Sequence, residues 1–412
     1  MFVHGQADTV ERSILDRPDL GASPAAVLAV EQALALVNVE YEVLPVVDDP
    51  EAAMLPDSPK VHESGNVHMQ THVENGDVEQ GFAASDVIVE GTYRLPRQMH
   101  AFMEPEQGVG VPGPGGEVTV YCGAQHPYRD QMQISRALGI KPSRIRVVTS
   151  PTGGAFGGKD EITLQILLAM GALATGRPVQ IVLSREESTV AGWKRHPMTV
   201  YMKTGARRDG TLLAHKVRLV SDTGAYASLG GPVTNLALEG CTGVYRIPAI
   251  VMDGYCVYTN NGVAGAFRGF GVPQAAVLQE TLYDKLAEAC GLDPLDFRRR
   301  NALEDGDRSV CGQSMQDAGI AECLDSLKPH WARAKAVADA FNASSPVFRR
   351  GAGLASCWYG CGNTGLPNPS TMRIGITKSG EIRLHQGATD IGQGSNTVIA
   401  QIAADAHGRG IG

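Results

Sequence analysis

"GGAFGGKDE", residues 153–161, is the stretch on which the fold turns. Gly153, four residues, Gly158 and Lys159 spell a phosphate-binding loop up to its last position. That position should carry Ser or Thr, whose hydroxyl holds a magnesium ion; here it is Asp160. The flanks also fit a nucleotide-binding turn. "RIRVVTS" (144–150) alternates as a strand does, and "ITLQILLAMGALA" (162–174) predicts an apolar helix. No clear strand ending in a magnesium-binding Asp follows, so the nucleotide reading fails. What remains is a glycine turn that brings main chain close to something else.

Two further loops share this character, "GAFRGFGVPQ" (265–274) and "GATDIGQGSNT" (387–397). The chain holds 49 glycines, many of them in such short loops between apolar segments. Glycine there permits positive φ and close backbone approach to a ligand. The first and third loops also aim a helix N-terminus at whatever they cradle, an arrangement that suits anions. Taken singly, each loop is more simply a tight structural turn.

Composition narrows the classes. The 412 residues are 43% hydrophobic and 19% charged, in the range of an ordinary globular protein with a sizeable core. A formal net charge of −8, its acidic excess spread along the chain, argues against a nucleic-acid partner, whose site would usually show as a clustered basic face. No apolar run reaches the ~18 residues of a membrane span, and "MFVHGQADTVERS" lacks the pattern of a secretory signal. A cytoplasmic location is expected. Eight cysteines, with "CWYGC" (357–361) the one close pair, show neither zinc nor iron–sulfur spacing and read as reduced thiols.

Along the chain, residues 24–47 predict an amphipathic helix followed by a strand. Residues 48–76, rich in Asp, Pro, His, Asn and Gly, read as a surface linker. Residues 77–96 predict helix then strand. "DPLDFRRRNAL" (293–303) predicts a helix with Asp293 as N-cap and Pro294 at its first position. From about 346 a new unit begins, with strands at "TMRIGIT" and "EIRLHQG" and a helix at 396–408.

The three loops together resemble the signature segments of the molybdenum hydroxylases, the xanthine dehydrogenase/aldehyde oxidase family. "GGAFGGKD", "AFRGFGVPQ" and "GATDIGQG" carry the likeness, supported by "RHP" (195–197), "GAQHP" (123–127), "DPLDFRRRN" (293–301) and residues 76–106. The resemblance spans roughly residues 24 to 412 and implies an α+β fold. Residues 1–65 would be a partial hammerhead-like α/β domain, residues 76–345 a first molybdopterin-binding domain of mixed sheets and helices, and residues 346–412 the start of a second.

Carried over position by position, the likeness implies a molybdopterin-type molybdenum cofactor, as such or as its cytosine dinucleotide. Gly154, Ala155 and Phe156 would lie at its metal end, with Gln125 approaching the metal. Arg268 would grip the cofactor region, and Gly392 and Gln393 would hold the pterin. Gln125, Phe156 and Arg268 would be near molybdenum without ligating it. Backbone donors, amides and one guanidinium suit a flat anionic cofactor.

On the substrate side, Asp160 and Arg195 match positions that face a purine in purine-oxidising members, and Phe270 would stack on a planar ring. The plainer alternatives are a helix N-cap for Asp160, a salt bridge to Glu for Arg195, and core packing for Phe156, Phe267 and Phe270. His100, His126 and His196 read as solvated or core histidines.

The resemblance implies a large subunit of a xanthine dehydrogenase-like hydroxylase, acting on a purine or other N-heterocycle with oxygen from water. It also implies iron–sulfur and FAD partner subunits. The family's catalytic glutamate is expected beyond Gly412, so that either a second molybdopterin-subunit chain supplies it or the chain is a truncated product. An aldehyde oxidase-type subunit is an alternative, as is a non-catalytic fragment lacking that glutamate. "AGAFRGFG" lacks the cysteine of the carbon monoxide dehydrogenase branch.

Overall fold

A computed structural model describes residues 32, 35–360, 369–406 and 408. Most of the helix expected in 24–47, and Cys361 of the cysteine pair, lie outside the described residues. In chain order the strands are β1 (Val67–Asn75), β2 (Val87–Leu95), β3 (Gln98–Met99), β4 (Gln107–Pro112), β5 (Val118–Cys122), β6 (Ile145–Thr149) and β7 (Val179–Val182). Then follow β8 (Lys194–Arg195), β9 (Met198–Ala206), β10 (Leu212–Gly224), β11 (Ala249–Tyr258), β12 (Arg373–Ile376) and β13 (Ile382–His385). The mixture of sheets and helices is α+β, as the sequence implied.

The chain forms two compact units interleaved in sequence: Val46–Met99 joins Trp193–Cys361 in one, and the other contains His100–Gly192. In the second of these, a four-stranded sheet runs β6-β5-β4-β7. Its β5–β6 pair is parallel, which requires a crossover, supplied by the helix Pro127–Leu138. Gly139 ends that helix in the left-handed conformation. Val118, Val120, Ile134, Ile145, Val147 and Leu168 form the buried core between sheet and helices. At Gly110 the helix Gln165–Thr175 lies so close that a Cβ would sit 2.3 Å from the carbonyl oxygen of Leu168.

The other unit is built on a five-stranded sheet ordered β1-β11-β10-β9-β2. Only its β10–β11 pair is parallel, and the crossover contains the helix Gly230–Gly240. That helix and Val272–Cys290 cover one face over Val217, Leu219, Leu238, Met252, Leu278 and Tyr283. The short helices Pro50–Ala53 and Val78–Ala83 contribute to smaller clusters with Val220 and Ala214. The helix Pro294–Asn301 starts as expected, the Asp293 carboxylate accepting from the N–H of Leu295.

Two expectations fail here. Residues 48–76 are no linker: "VHMQTHVEN" is β1, an edge strand paired antiparallel with β11. Its polar composition reflects a strand with most of its side chains in water. Conversely, residues 37–46 form no strand, although "EYEVLPVV" has the alternating apolar pattern. A strand needs a partner for its backbone groups, and pattern alone does not provide one.

Among the described residues no helix is long and apolar enough to cross a membrane.

Candidate functional site

Gln125 and the loop 153–158 follow β5 and β6 respectively. Because those strands are parallel neighbours, both segments emerge beyond the same carboxyl edge of the sheet, where α/β folds commonly place ligands. The join is tight. Ser150 donates its N–H to Cys122 O at 3.2 Å, and Gln125 donates its N–H to Lys159 O at 3.0 Å.

The loop takes a strained path. Gly154 (φ 92°), Phe156 (φ 53°) and Gly157 (φ 98°) all lie in the left-handed region. For Phe156 that conformation costs on the order of 1–2 kcal/mol, a cost usually met at sites with a ligand to accommodate. Gly153 donates to the Glu104 carboxylate, and Gly157 donates to Gln125 Oε1 at 3.2 Å. Between them, the N–H groups of Gly154, Ala155 and Phe156 donate to nothing among the described residues. Ala155 is wholly buried. Successive unsatisfied N–H groups in such a turn form an anion-binding concavity. This donor set fits the oxygen-rich metal end of the cofactor that the sequence implied.

Lys159 does not face outward as a phosphate-binding lysine would. It is buried, 3.1 Å from Glu104 Oε2 and 4.8 Å from the centre of the Phe102 ring. Burial pushes Glu104 up, but hydrogen bonds from Gln107 and Gly153 and the charge of Lys159 outweigh it and hold the carboxylate below its usual range.

Asp160 is no helix N-cap: the helix begins at Gln165, with Leu164 at the cap. Its carboxylate instead accepts from Gln125 Nε2 at 3.4 Å and pairs with His126 Nε2 at 2.6 Å and Arg129 Nη1 at 3.3 Å. The Gln125 amide is thus held at both ends, oxygen to Gly157 and nitrogen to Asp160. Sequence reasoning read His126 as a solvated or core histidine, whereas it pairs with Asp160, and it passed over Glu104. The signal for His126 was its place between Gln125 and the helix-starting Pro127.

In the other unit, the loop 265–271 follows β11 and leads into the helix Val272–Cys290. It too lies past the carboxyl edge of a parallel pair, β10–β11. Gly269, Phe270 and Gly271 are consecutive left-handed residues, with φ of 89°, 49° and 100°. A Cβ at Gly271 would meet Val233 O at 2.5 Å, so close packing requires glycine there. The Arg268 side chain is exposed and its guanidinium makes no ion pair among the described residues. Phe270 packs partly against the main core.

Among the described residues Arg195 makes no salt bridge to Glu. Its guanidinium is buried and donates to Gln274 Oε1 and to Arg268 O, each at 3.0 Å, while lying 3.7 Å over the Phe267 ring. Burial lowers its pKa to about 10, which leaves it cationic at neutral pH. His196 beside it is buried and neutral, its pKa pushed down to about 3 by burial and by the nearby charges of Arg97 and Arg195.

The third loop is organised from within. Asp390 accepts from the N–H groups of Gly392 (3.0 Å), Gly394 (3.4 Å) and Asn396 (3.2 Å). Gln393 accepts from Ile391 N–H at 2.7 Å and donates to Thr389 O at 2.9 Å. Asp390, which no sequence pattern singled out, therefore takes up the donors at the start of the last helix.

Comparison with known proteins agrees with this architecture. The molybdopterin cofactor-binding domain models match residues 61–302 and 326–411. A Bacillus subtilis protein described as a probable xanthine dehydrogenase subunit is 42% identical over 91% of this chain and 50% of its own length. The nicotinate dehydrogenase large molybdopterin subunit of Eubacterium barkeri is 42% identical over 73% of this chain and 71% of its own. The chain thus spans about half of the Bacillus relative and most of the Eubacterium one. Among solved structures, an aldehyde oxidoreductase of Desulfovibrio desulfuricans superposes with a TM-score of 0.86 at 29% identity, over 93% of this chain and 42% of that one. By these matches and the loops that carry them, the chain belongs to the molybdenum hydroxylase family, as one of its molybdopterin-binding chains.

Proposed function

We propose that this chain is the large, molybdopterin-binding subunit of a xanthine dehydrogenase-like hydroxylase that oxidises a purine or another N-heterocycle with oxygen from water. The observation that carries the reading is the run of unsatisfied N–H groups at Gly154, Ala155 and Phe156 beside a fixed Gln125 amide. Relatives named for xanthine and nicotinate support the substrate class.

When bound, the cofactor supplies two-electron oxidation and oxygen transfer. The protein's part is to bind and orient it. The three N–H groups would hold its oxygen-rich end, and Gln125 would present one remaining amide hydrogen to it. Arg268 would pair with its anionic portion, helped by the N-terminus of the helix Val272–Cys290. Gly392 and Gln393 complete the proposed set, in a loop that Asp390 shapes. Asp160 and Arg195 would act on substrate indirectly, through the loops they anchor, and Phe270 would stack on a planar ring.

Electrons would leave through iron–sulfur and FAD subunits, with assembly in the cytoplasm. A second molybdopterin-subunit chain belongs to the proposed assembly. Support comes from the Eubacterium relative, itself a chain of about this length named as one molybdopterin subunit. An aldehyde substrate is the second reading, favoured by an aldehyde oxidoreductase of Megalodesulfovibrio gigas 32% identical over 87% of this chain.

The test is purification of the native assembly, with molybdenum measured per chain and oxidation assayed on purines, nicotinate and aldehydes. Stoichiometric molybdenum with turnover of a heterocycle is expected. Turnover of aldehydes alone would replace the substrate class. An assembly without molybdenum would overturn the reading.

A further inference from the structure

We infer that Arg195 is a positioning residue, whose guanidinium clamps the left-handed turn 268–271 and thereby fixes where Arg268 points. The inference rests in part on the reading above, because it assigns Arg268 to the cofactor.

Three independent contacts converge on one buried cation. Arg195 Nη2 donates to the backbone carbonyl of Arg268, the residue entering the turn. Arg195 Nη1 donates to Gln274 Oε1, on the first turn of the helix leaving it. The guanidinium lies over Phe267, on the near side of the turn. Arg195 itself cannot drift. It belongs to β8, paired with β3, and the neighbouring Lys194 carbonyl accepts from Gly265 N–H at 2.9 Å. Gln274 is tied back in turn, its Nε2 reaching His196 O at 3.4 Å.

The clamp has something to restrain. Three successive residues at positive φ, one of them Phe270, form a turn that local preference disfavours. Among the described residues its backbone hydrogen bonds include Phe270 N–H to Phe267 O at 2.7 Å, Val272 N–H to Gly269 O at 3.0 Å and Ala275 N–H to Gly271 O at 3.2 Å. A lysine could keep the charge but not the fork. A planar guanidinium directs two N–H groups at fixed angles while its flat face stacks on a ring, whereas an ammonium has no flat face to stack.

The experiment is hydrogen–deuterium exchange of the full-length chain, with its partners, for wild type, Arg195→Met, Arg195→Lys and Arg268→Met. The amides of Phe270 and Val272 should exchange about tenfold faster or more in both Arg195 variants, with β10 amides unchanged. Arg268→Met should leave those amides as they are. Molybdenum content should fall in the Arg195 variants and in Arg268→Met alike.

Wild-type exchange of the turn in folded Arg195→Met would overturn the clamp. So would full restoration by lysine. A loosened turn with molybdenum retained in all variants would uphold the clamp and count against the cofactor reading instead. Should Arg195→Met not fold, Gln274→Leu removes one acceptor only, and unchanged exchange there would also overturn the clamp.

Discussion

Nε2 of His126 lies 2.6 Å from Oδ1 of Asp160, and the same carboxylate oxygen accepts from the amide of Gln125. The imidazole therefore helps to fix the carboxylate that orients the amide. Asp160→Ala would leave Gln125 Nε2 without its Asp160 partner and Arg129 with Glu161, at 3.5 Å, as its remaining ion-pair partner among the described residues. A loss of about 1.5–3 kcal/mol is expected, the usual worth of hydrogen bonds to a charged group. Denaturant unfolding and molybdenum content should fall together. If neither moves, Asp160 does not anchor Gln125.

Gly154→Ala tests the cradle itself. The residue sits at φ 92°, and a Cβ would approach the Phe156 ring to 3.2 Å and Phe102 Cβ to 3.4 Å. The substitution should cost about 1–2 kcal/mol through the left-handed backbone and displace the neighbouring N–H groups. Molybdenum retention should drop more than stability does. Normal metal content would remove the loop from the cofactor site.

Stability should depend on pH through Asp130. Burial raises its pKa to about 7 against the hydrogen bond from Gln165, which lowers it. The native state therefore keeps a proton that the unfolded chain releases near pH 4. By linkage, this group's stability contribution is full below that pH and is lost as pH rises toward 7. Asp130→Asn should raise the unfolding midpoint at pH 8 and change it little at pH 4. An equal shift at both would refute the assignment.

Glu280 and Arg298 form a buried pair, Nε to Oε2 at 2.6 Å, with Tyr245 and the N–H of Ser356 on the same carboxylate at 2.7 and 3.0 Å. Glu280→Ala strands a guanidinium that is wholly inaccessible. A destabilisation of about 3–5 kcal/mol follows from leaving such a charge with a weaker partner. Thermal unfolding measures it, and a change near zero would mean that Asp284, 2.8 Å away, suffices alone.

Lys159 resembles a nucleotide-binding lysine in sequence only. It is buried against Glu104 and Phe102, so calorimetry with magnesium–ATP should record no binding. Saturable binding lost in Lys159→Ala would restore the nucleotide reading.

The sequence alone determined the family and most of the elements. Its three glycine loops, the strand within 144–150, the Asp293 cap and the two strands after residue 346 are local features, set by backbone freedom, alternation and capping over a few residues. It misjudged β1, whose side chains look like those of a loop because most of them meet water, and residues 37–46, whose apolar alternation has no strand beside it among the described residues.

Only the tertiary structure decided what the candidate site residues touch. That Gln125 meets Gly157 depends on β5 and β6 being parallel neighbours, a pairing between segments more than twenty residues apart. Whether a charged side chain faces ligand or loop is settled by its long-range partners, and those turned Asp160 toward Gln125 and Arg195 toward Arg268. Residue type and spacing fix which chemistry a chain can hold; pairing across the fold fixes which atoms remain free to perform it.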